Sequence, residues 1–445
     1  MLDRDCEIPP EQWLSDQVAV FESDEDSLVN IPKRQDGQDY TYEALYPDQQ
    51  EIVMHVMAKI HKFMECEDLS EFIPQRMTIN GAGGSGKSVV INTIVSMLRK
   101  MFGTNEIVKV VAPTGTAAFN VKGETFHHLC GNRVSKRHYI PNSMSKEKRI
   151  NLVKKFKSLL VMIVDERSLI NSCDLGTVAY QVGETIFGGG HMTQDSFGGL
   201  PVLILAGDDY QLPGTSEGAI SAFFNKGGTA MTRKGRELLL ECSQHVMELH
   251  GSKRMKDSEI KEKEILEKLR VGRELTDAEI QKLLSLKIDV MSKVHAPEVI
   301  NRILDRAIFL FYTNNKRIRH NLQQILRHSN STNPVAILSP TSKGPLGGKG
   351  IRAHFDSKLP EASIICKGAR VAIENRNFNP QWGLHNGACG VVDEIVFQKG
   401  MSPNNGNMPL YVVVDFPMYC GPIWDRSKPT VRIVLYFTDY IIMYY

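Results

Sequence analysis

Residues 78–90, "TINGAGGSGKSVV", constrain this chain more than any other stretch. Gly81 to Gly86 fit G-x-G-x-x-G, the dinucleotide-binding fingerprint. Gly81 to Ser88 also fit G-x-x-x-x-G-K-S, the phosphate loop of nucleoside triphosphate hydrolases. The first pattern wants an acidic residue about twenty positions on, near the end of the next strand. Glu106 stands near that spacing but precedes the strand "IVKVVA", and the fingerprint has no use for Lys87 and Ser88. The second pattern uses every residue. Gly81, Gly83, Gly84, Ser85 and Gly86 let backbone N–H groups face phosphate oxygens, Lys87 puts a positive charge at the β- and γ-phosphates, and the Ser88 hydroxyl reaches Mg2+. The stretch is a triphosphate cradle between a strand and a helix.

Four near-continuous apolar runs follow the same grammar: "RMTIN", "IVKVVA", "SLLVMIVDE" and "LPVLILAGDD". Runs apolar on both faces suit a parallel sheet covered by helices on each side, and such sheets bind ligands at the carboxyl ends of their strands. These runs end at the phosphate loop, at "PTG", at "DE" and at "GDD". The expected fold is an α/β P-loop NTPase. Asp165 and Glu166 suit two tasks, one completing an Mg2+ sphere and the next orienting and deprotonating an attacking water. Gln211, just past the "GDD" strand end, can touch the γ-phosphate and that water. Arg254 in "HGSKRM" follows the first domain, and a guanidinium from a second domain can neutralise a transferring phosphoryl group.

A net charge of +2 conceals an asymmetry. Residues 1–40 carry eleven Asp or Glu against three Lys or Arg, and are expected to form an acidic, disordered tail. The remainder is net positive, which favours a polyanion as partner. Between Arg133 and Lys157 stand nine Lys or Arg and one acid, Glu147. That stretch is either a solvated helix face or an insert following a nucleic-acid backbone, with His138 or Tyr139 available for stacking. Eight cysteines without a C-x-x-C pair argue against a zinc site or disulfide framework and for a reducing intracellular setting. His127 and His128 lack acidic partners at metal-ligand spacing. The N-terminus has no signal-peptide pattern, and the longest apolar runs are far too short to span a membrane.

Taken in order, "GAGGSGKS", "APTGTAAFN-VKGETFHHL", "VDERSLI", "FGGLPVLILAGDDYQLP" and "HGSKRM" resemble the motif series of superfamily-one DNA helicases, most closely the PIF (petite integration frequency) branch and its RecD relatives. "LFYTNNKRIRHN" and "GARVAIENRNFNPQWGLHNGACGVV" resemble that branch's second motor domain, and the similarity covers residues 41–420. The resemblance implies tandem RecA-like domains that use ATP and Mg2+ to move along single-stranded DNA and open forked DNA in repair, recombination or telomere maintenance. A monomer in the nucleus or mitochondrion is implied as well. It implies that Gln49 in "LYPDQQ" meets the adenine edge, that Lys87, Ser88 and Asp165 hold phosphates and Mg2+, and that Glu166 is the catalytic base. Gln211 would couple γ-phosphate state to DNA, Arg254 would be an arginine finger from the second domain, and Thr114 and His127 would contact single-stranded DNA.

The domains expected on this basis are a first RecA-like domain over 41–240, with a basic wedge-like insert at 123–157, and a second over 241–445. The second departs from the family: "T-x-H-K-x-Q-G"-like and "A-L-S-R" motifs are missing, and residues 432–445 match nothing in the pattern. An incomplete second motor domain is therefore expected. Two alternatives stay open, a truncated relative that binds ATP and DNA without unwinding, and a non-enzymatic ATP-dependent DNA-binding module.

Overall fold

Each of the four apolar runs forms a strand of one parallel sheet. The computed structural model describes residues 29–34, 36–129, 145–190, 195–211, 227–256, 259–338, 363–373, 379–403, 406–407, 409–421 and 432–436. The sheet comprises β1 (Gln75–Gly81), β2 (Val108–Ala112), β3 (Glu124–Thr125), β4 (Val161–Val164), β5 (Val202–Gly207) and β6 (Val246–Leu249), in the order β3-β2-β4-β5-β1-β6. All of its pairings are parallel, with Asn80 opposite Gly207 and Val164 opposite Leu205, so the loops that follow β1, β4 and β5 leave from one edge.

Why these runs are apolar throughout is visible in where alternate residues go. Val161, Ile163, Val202 and Ile204 pack into one core with Ile52, Val56, Ile91, Ile94 and Leu98, from helices α1 (Pro47–Met64) and α2 (Lys87–Phe102). After β2 and β3 come α3 (Gly115–Asn120), α4 (Phe126–Leu129) and α5 (Lys146–Phe156). Met162, Val164, Leu203 and Leu205 pack on the other face with Leu175, Val178 and Leu238, from α6 (Ser172–Gly183) and α7 (Ala230–Cys242). Each such side chain contributes about 1.5–3 kcal/mol by leaving water. A strand apolar on one face only would leave one of these layers without a floor.

The described residues divide into two compact units, one within Val29–Ala307 and one from Ile308 onward. β6 lies beyond the boundary expected at 240 yet pairs with β1, Thr78 opposite Val246 and Gly81 opposite Leu249. The first unit continues through α8 (Ile260–Arg270), α9 (Asp277–Ser285), α10 (Ile288–Val294) and α11 (Pro297–Arg306). Thr276 and Glu279 cap α9 reciprocally, each side chain accepting the other's backbone N–H. Of the expected acidic tail, residues 1–28 lie outside the described residues. Residues 29–34 and 36–40 are anchored instead, through Asn30, whose N–H donates to Asn105 at 2.7 Å, and Asp39, which pairs with Lys100 at 2.7 Å.

In the second unit, α12 (Asn314–His328) packs through Ile325 into a core shared with β7 (Ala336–Leu338) and β8 (Ser363–Ile365), which form an antiparallel pair. Strands β9 (Arg370–Ala372), β10 (Cys389–Val396), β11 (Tyr411–Asp415) and β12 (Arg432–Tyr436) form an antiparallel sheet in the order β12-β11-β10-β9. Its alternation on β10, with Gly390 and Val392 inside and Cys389 and Val391 outside, is that of a sheet with one solvated face. The pairing of β12 with β11 places part of the unmatched 432–445 tail in this sheet; residues 437–445 lie outside the described residues. No helix among the described residues is long and apolar enough to cross a membrane.

One close approach sets the geometry at the strand ends. A Cβ on Gly207, the last residue of β5, would lie 2.8 Å from both the backbone nitrogen and the Cβ of Arg167. Gly207→Ala is expected to cost about 1–3 kcal/mol, because backbone cannot yield as a side-chain tip does. Thermal unfolding should show a fall of several degrees, whereas an unchanged midpoint would mean the turn after β4 is not packed there.

Candidate nucleotide site

The cradle is built by backbone conformation. Gly84 and Gly86 have φ of 86° and 98°, a region that L side chains rarely adopt, and Gly86 is the N-cap of α2. A Cβ on Gly86 would also strike the Gln49 amide nitrogen. Gln49, 3% exposed, donates from Nε2 to the Ser85 carbonyl at 3.2 Å and accepts the Tyr46 N–H on Oε1 at 3.1 Å. The amide expected to meet adenine is thus engaged at both ends, Nε2 tying the loop to α1 and Oε1 capping α1 itself. Lys87 Nζ donates to the carbonyls of Gly81 (2.6 Å) and Ala82 (3.3 Å). Burial holds its pKa below the ordinary lysine value, while Asp165, Asp208 and Glu166 raise it and Arg270 lowers it. Ser88 is exposed at the start of α2.

At the end of β4, Asp165 is 5% exposed and Glu166 turns outward with φ 54° and ψ 51°, left-handed for a residue with a Cβ. Burial lifts the Asp165 carboxyl from 3.8 to about 6; a Glu166 N–H lowers it, the Glu166 carboxylate raises it again, and Lys87 lowers it. Asp165 Oδ1 is buried and accepts no hydrogen bond from the described residues. At the end of β5, Asp208 is 3% exposed, and its Oδ2 accepts the Gln211 amide at 3.4 Å. Gln211 Nε2 would lie 3.8 Å from a Cβ on Gly83, which brings that amide to the cradle.

Arg254, expected from a second domain, lies in the same compact unit as the cradle. The cause is β6: once it pairs with β1, the following segment passes over the phosphate loop. The Lys253 N–H donates to the Gly84 carbonyl at 2.8 Å, the His250 N–H to Asp48 Oδ2 at 3.1 Å, and Lys253 Nζ lies 4.3 Å from the centre of the Tyr46 ring. A Cβ on Gly84 would sit 3.0 Å from Arg254 Cβ, and the Arg254 side chain is exposed.

The residues expected at DNA lie elsewhere along the same sheet edge. Thr114 is the exposed N-cap of α3, its hydroxyl accepting the Ala117 N–H at 3.2 Å while its own proton is left to donate. His127 falls in α4, with its side chain outside the described residues. Of the basic insert, 130–144, with His138 and Tyr139, also lies outside them. Its flanks are pinned by Glu124, which accepts from His128 Nδ1 (2.7 Å) and Lys155 Nζ (3.5 Å). Burial would raise the Glu124 pKa, but His128 and Lys155 bring it down to about 2.

The family described as PIF1-like helicase matches residues 48–270, half of the chain, and that span contains every element of the cradle. The chain belongs to that family. The ATP-dependent DNA helicase RRM3 of Saccharomyces cerevisiae is 29% identical over 34% of this chain and 20% of its own length. The ATP-dependent DNA helicase PIF4 of Trypanosoma brucei brucei is 35% identical over 35% of this chain and 18% of its own. This PIF1-like chain therefore matches about a fifth of the length of those relatives. The crystal structure of Pif1 helicase from Candida albicans shares the fold, with a TM-score of 0.56 at 21% identity over 84% of this chain and 75% of that one.

Sequence reasoning singled out the strand end "GDD" without giving Asp208 a role, and it missed the latch of Asp48, Tyr46 and Lys253 altogether. Among the described residues no group of three His, Cys, Asp or Glu side chains could hold a metal ion. A cation at this PIF1-like cradle would need phosphate and water for most of its oxygens, as Mg2+ does at such sites, and the unpartnered Asp165 Oδ1 suits it. Below about pH 4, Asp165 is protonated folded or unfolded; above about pH 6 the fold must ionise a buried carboxyl, at up to about 3 kcal/mol. Asp165→Asn should therefore raise the nucleotide-free thermal midpoint at pH 8 by a few degrees and leave it nearly unchanged at pH 4. Equal midpoints at pH 8 would show that the carboxyl ionises without penalty.

Proposed function

We propose that this chain is an ATP-driven motor that hydrolyses ATP, moves along single-stranded DNA and opens forked DNA. The observation that supports it most is convergence on one phosphate loop: Lys87, Asp165, Glu166, Gln211 and Arg254 surround it within a single unit. The curated relatives, named ATP-dependent DNA helicases, support the same reading.

In this reading the loop amides of Gly81–Ser88 and Lys87 bind the phosphates, and Gln49 meets adenine by giving up one of its two present bonds. Ser88 and Asp165 would hold Mg2+, which would neutralise charge on the phosphates. Glu166 orients a water and accepts its proton as oxygen bonds to the γ-phosphorus and the bond to the ADP oxygen breaks. Gln211 contacts the γ-phosphate, and Arg254 offsets the charge that develops there. Thr114 and His127, at the edge that also carries the cradle, contact the DNA strand. Two adjacent acids can divide the labour because burial separates them: Asp165 is enclosed and Glu166 half-exposed.

Steady-state ATPase assays with and without single-stranded DNA, followed by strand displacement on a forked duplex, test the proposal. Turnover should rise with DNA. Lys87→Ala and Glu166→Gln should each lower kcat by about 100-fold or more, Glu166→Gln with nucleotide binding retained. DNA-stimulated turnover that survives both substitutions would remove the assigned roles, and turnover without displacement would reduce the chain to an ATPase that does not unwind.

A further inference from the structure

Arg270 is the last residue of α8, a helix whose only buried residue among those described is Ile265. Its Nη2 donates to Asp208 Oδ1 at 2.9 Å, its Nη1 to Glu267 Oε1 at 3.1 Å, and its guanidinium carbon lies 4.5 Å from the centre of the Tyr210 ring. The Asp208 carboxylate is thereby shared three ways. Oδ1 takes Arg270 and, at 3.1 Å, the Tyr210 N–H, while Oδ2 takes the Gln211 amide at 3.4 Å. Asp208 is buried beneath Arg270, so removing the cation would leave its carboxylate with one backbone N–H and one long amide bond from the protein. A guanidinium suits this place because it can pair with a carboxylate and lie over a ring together, which an ammonium does poorly. The charge of Arg270 is also felt at Lys87.

We propose that Arg270 is a positioning residue for ATP hydrolysis: through Asp208 it fixes residues 208–211 so that the Gln211 amide stays beside the phosphate loop, and it ties that loop to α8. The inference rests on the ATPase reading above. Since one ion pair joins the loop after β5 to the end of α8, a displacement of Gln211 by the γ-phosphate is passed directly to residues 260–270. No phosphate contact by Arg270 itself is involved; it acts through Asp208.

The test compares Arg270→Ala, Arg270→Lys, Asp208→Asn and the double variant Arg270→Ala/Asp208→Asn in the full chain. Arg270→Ala should lower kcat about 10- to 100-fold with the KM for ATP within about threefold, as misplacement of an orienting group does. Arg270→Lys keeps a cation at Asp208 and should recover part of that loss, which also covers the case in which the alanine variant folds poorly. The double variant should be no worse than the poorer single one, because both break the same bond. Hydrogen exchange without nucleotide supplies a readout independent of turnover: the Tyr210 amide should exchange about tenfold faster in Arg270→Ala. An unchanged kcat, a loss confined to KM, or losses that multiply in the double variant would overturn the proposal. Should the wild-type chain hydrolyse no ATP, the ATPase reading falls, and exchange at Tyr210 alone then decides the anchor, faster supporting it and unchanged overturning it.

Discussion

Lys87 Nζ lies 2.6 Å from the Gly81 carbonyl, and two buried acids, Asp165 and Asp208, end the strands beside it. A parallel sheet brings its strand ends to one edge, so the loops that carry chemistry are crowded together before any ligand arrives. Crowding acids in a dry place is costly unless cations are near. Here Lys87 serves the pair from the loop, Arg270 serves Asp208 from α8, and Arg167 bonds Asp209 while reaching Thr78 on β1 at 3.0 Å. The cations come from three different places, the start of α2, the turn after β4 and the end of α8, and together they make the acidic edge tolerable.

The same balance explains how two neighbours in sequence differ so much in environment. Asp165 follows directly on β4, its N–H donating to the Val111 carbonyl at 2.9 Å, and is left only 5% exposed. Glu166 adopts a left-handed backbone at a cost of roughly 1–2 kcal/mol and so leaves that path for the half-exposed rim. The turn is possible because Gly207 on β5 offers no Cβ to Arg167. Strain at one residue and a missing side chain at another, far apart in sequence, form one local device.

What was legible in the sequence was local. A loop that must lack side chains, strands buried on both faces and acids at strand ends are each written within about ten residues, and the cradle, the sheet and the DE turn could be placed from them. What was illegible depends on pairing between distant segments. Nothing in "VMEL" says that it adds to the edge of β1, yet after that pairing the chain brings Arg254 beside Gly84 of the loop. Arg270 is one of many charges on a solvated helix, and only its distance to Asp208 distinguishes it. Asn30 and Asp39 lie in an acidic, weakly apolar stretch that composition assigns to disorder; two specific polar contacts hold it. In the second unit the alternation on β10 is local too, but a short strand carries no mark of whether its neighbour runs with it or against it.

The Lys253–Gly84 hydrogen bond places a strap of backbone across the mouth of the cradle. Gly84 was chosen for its freedom to rotate its peptide planes, and the strap takes away part of that freedom by engaging its carbonyl. Any ligand that reorients this peptide must do work on the strap, and through it on Arg254, His250 and the contact with Asp48. By reciprocity, a partner whose binding to the strap depends on that peptide's orientation and a ligand of the loop would change each other's affinity by the same factor. Ligand residence and arginine placement are thus two coordinates of a single equilibrium, with a glycine carbonyl as its fulcrum.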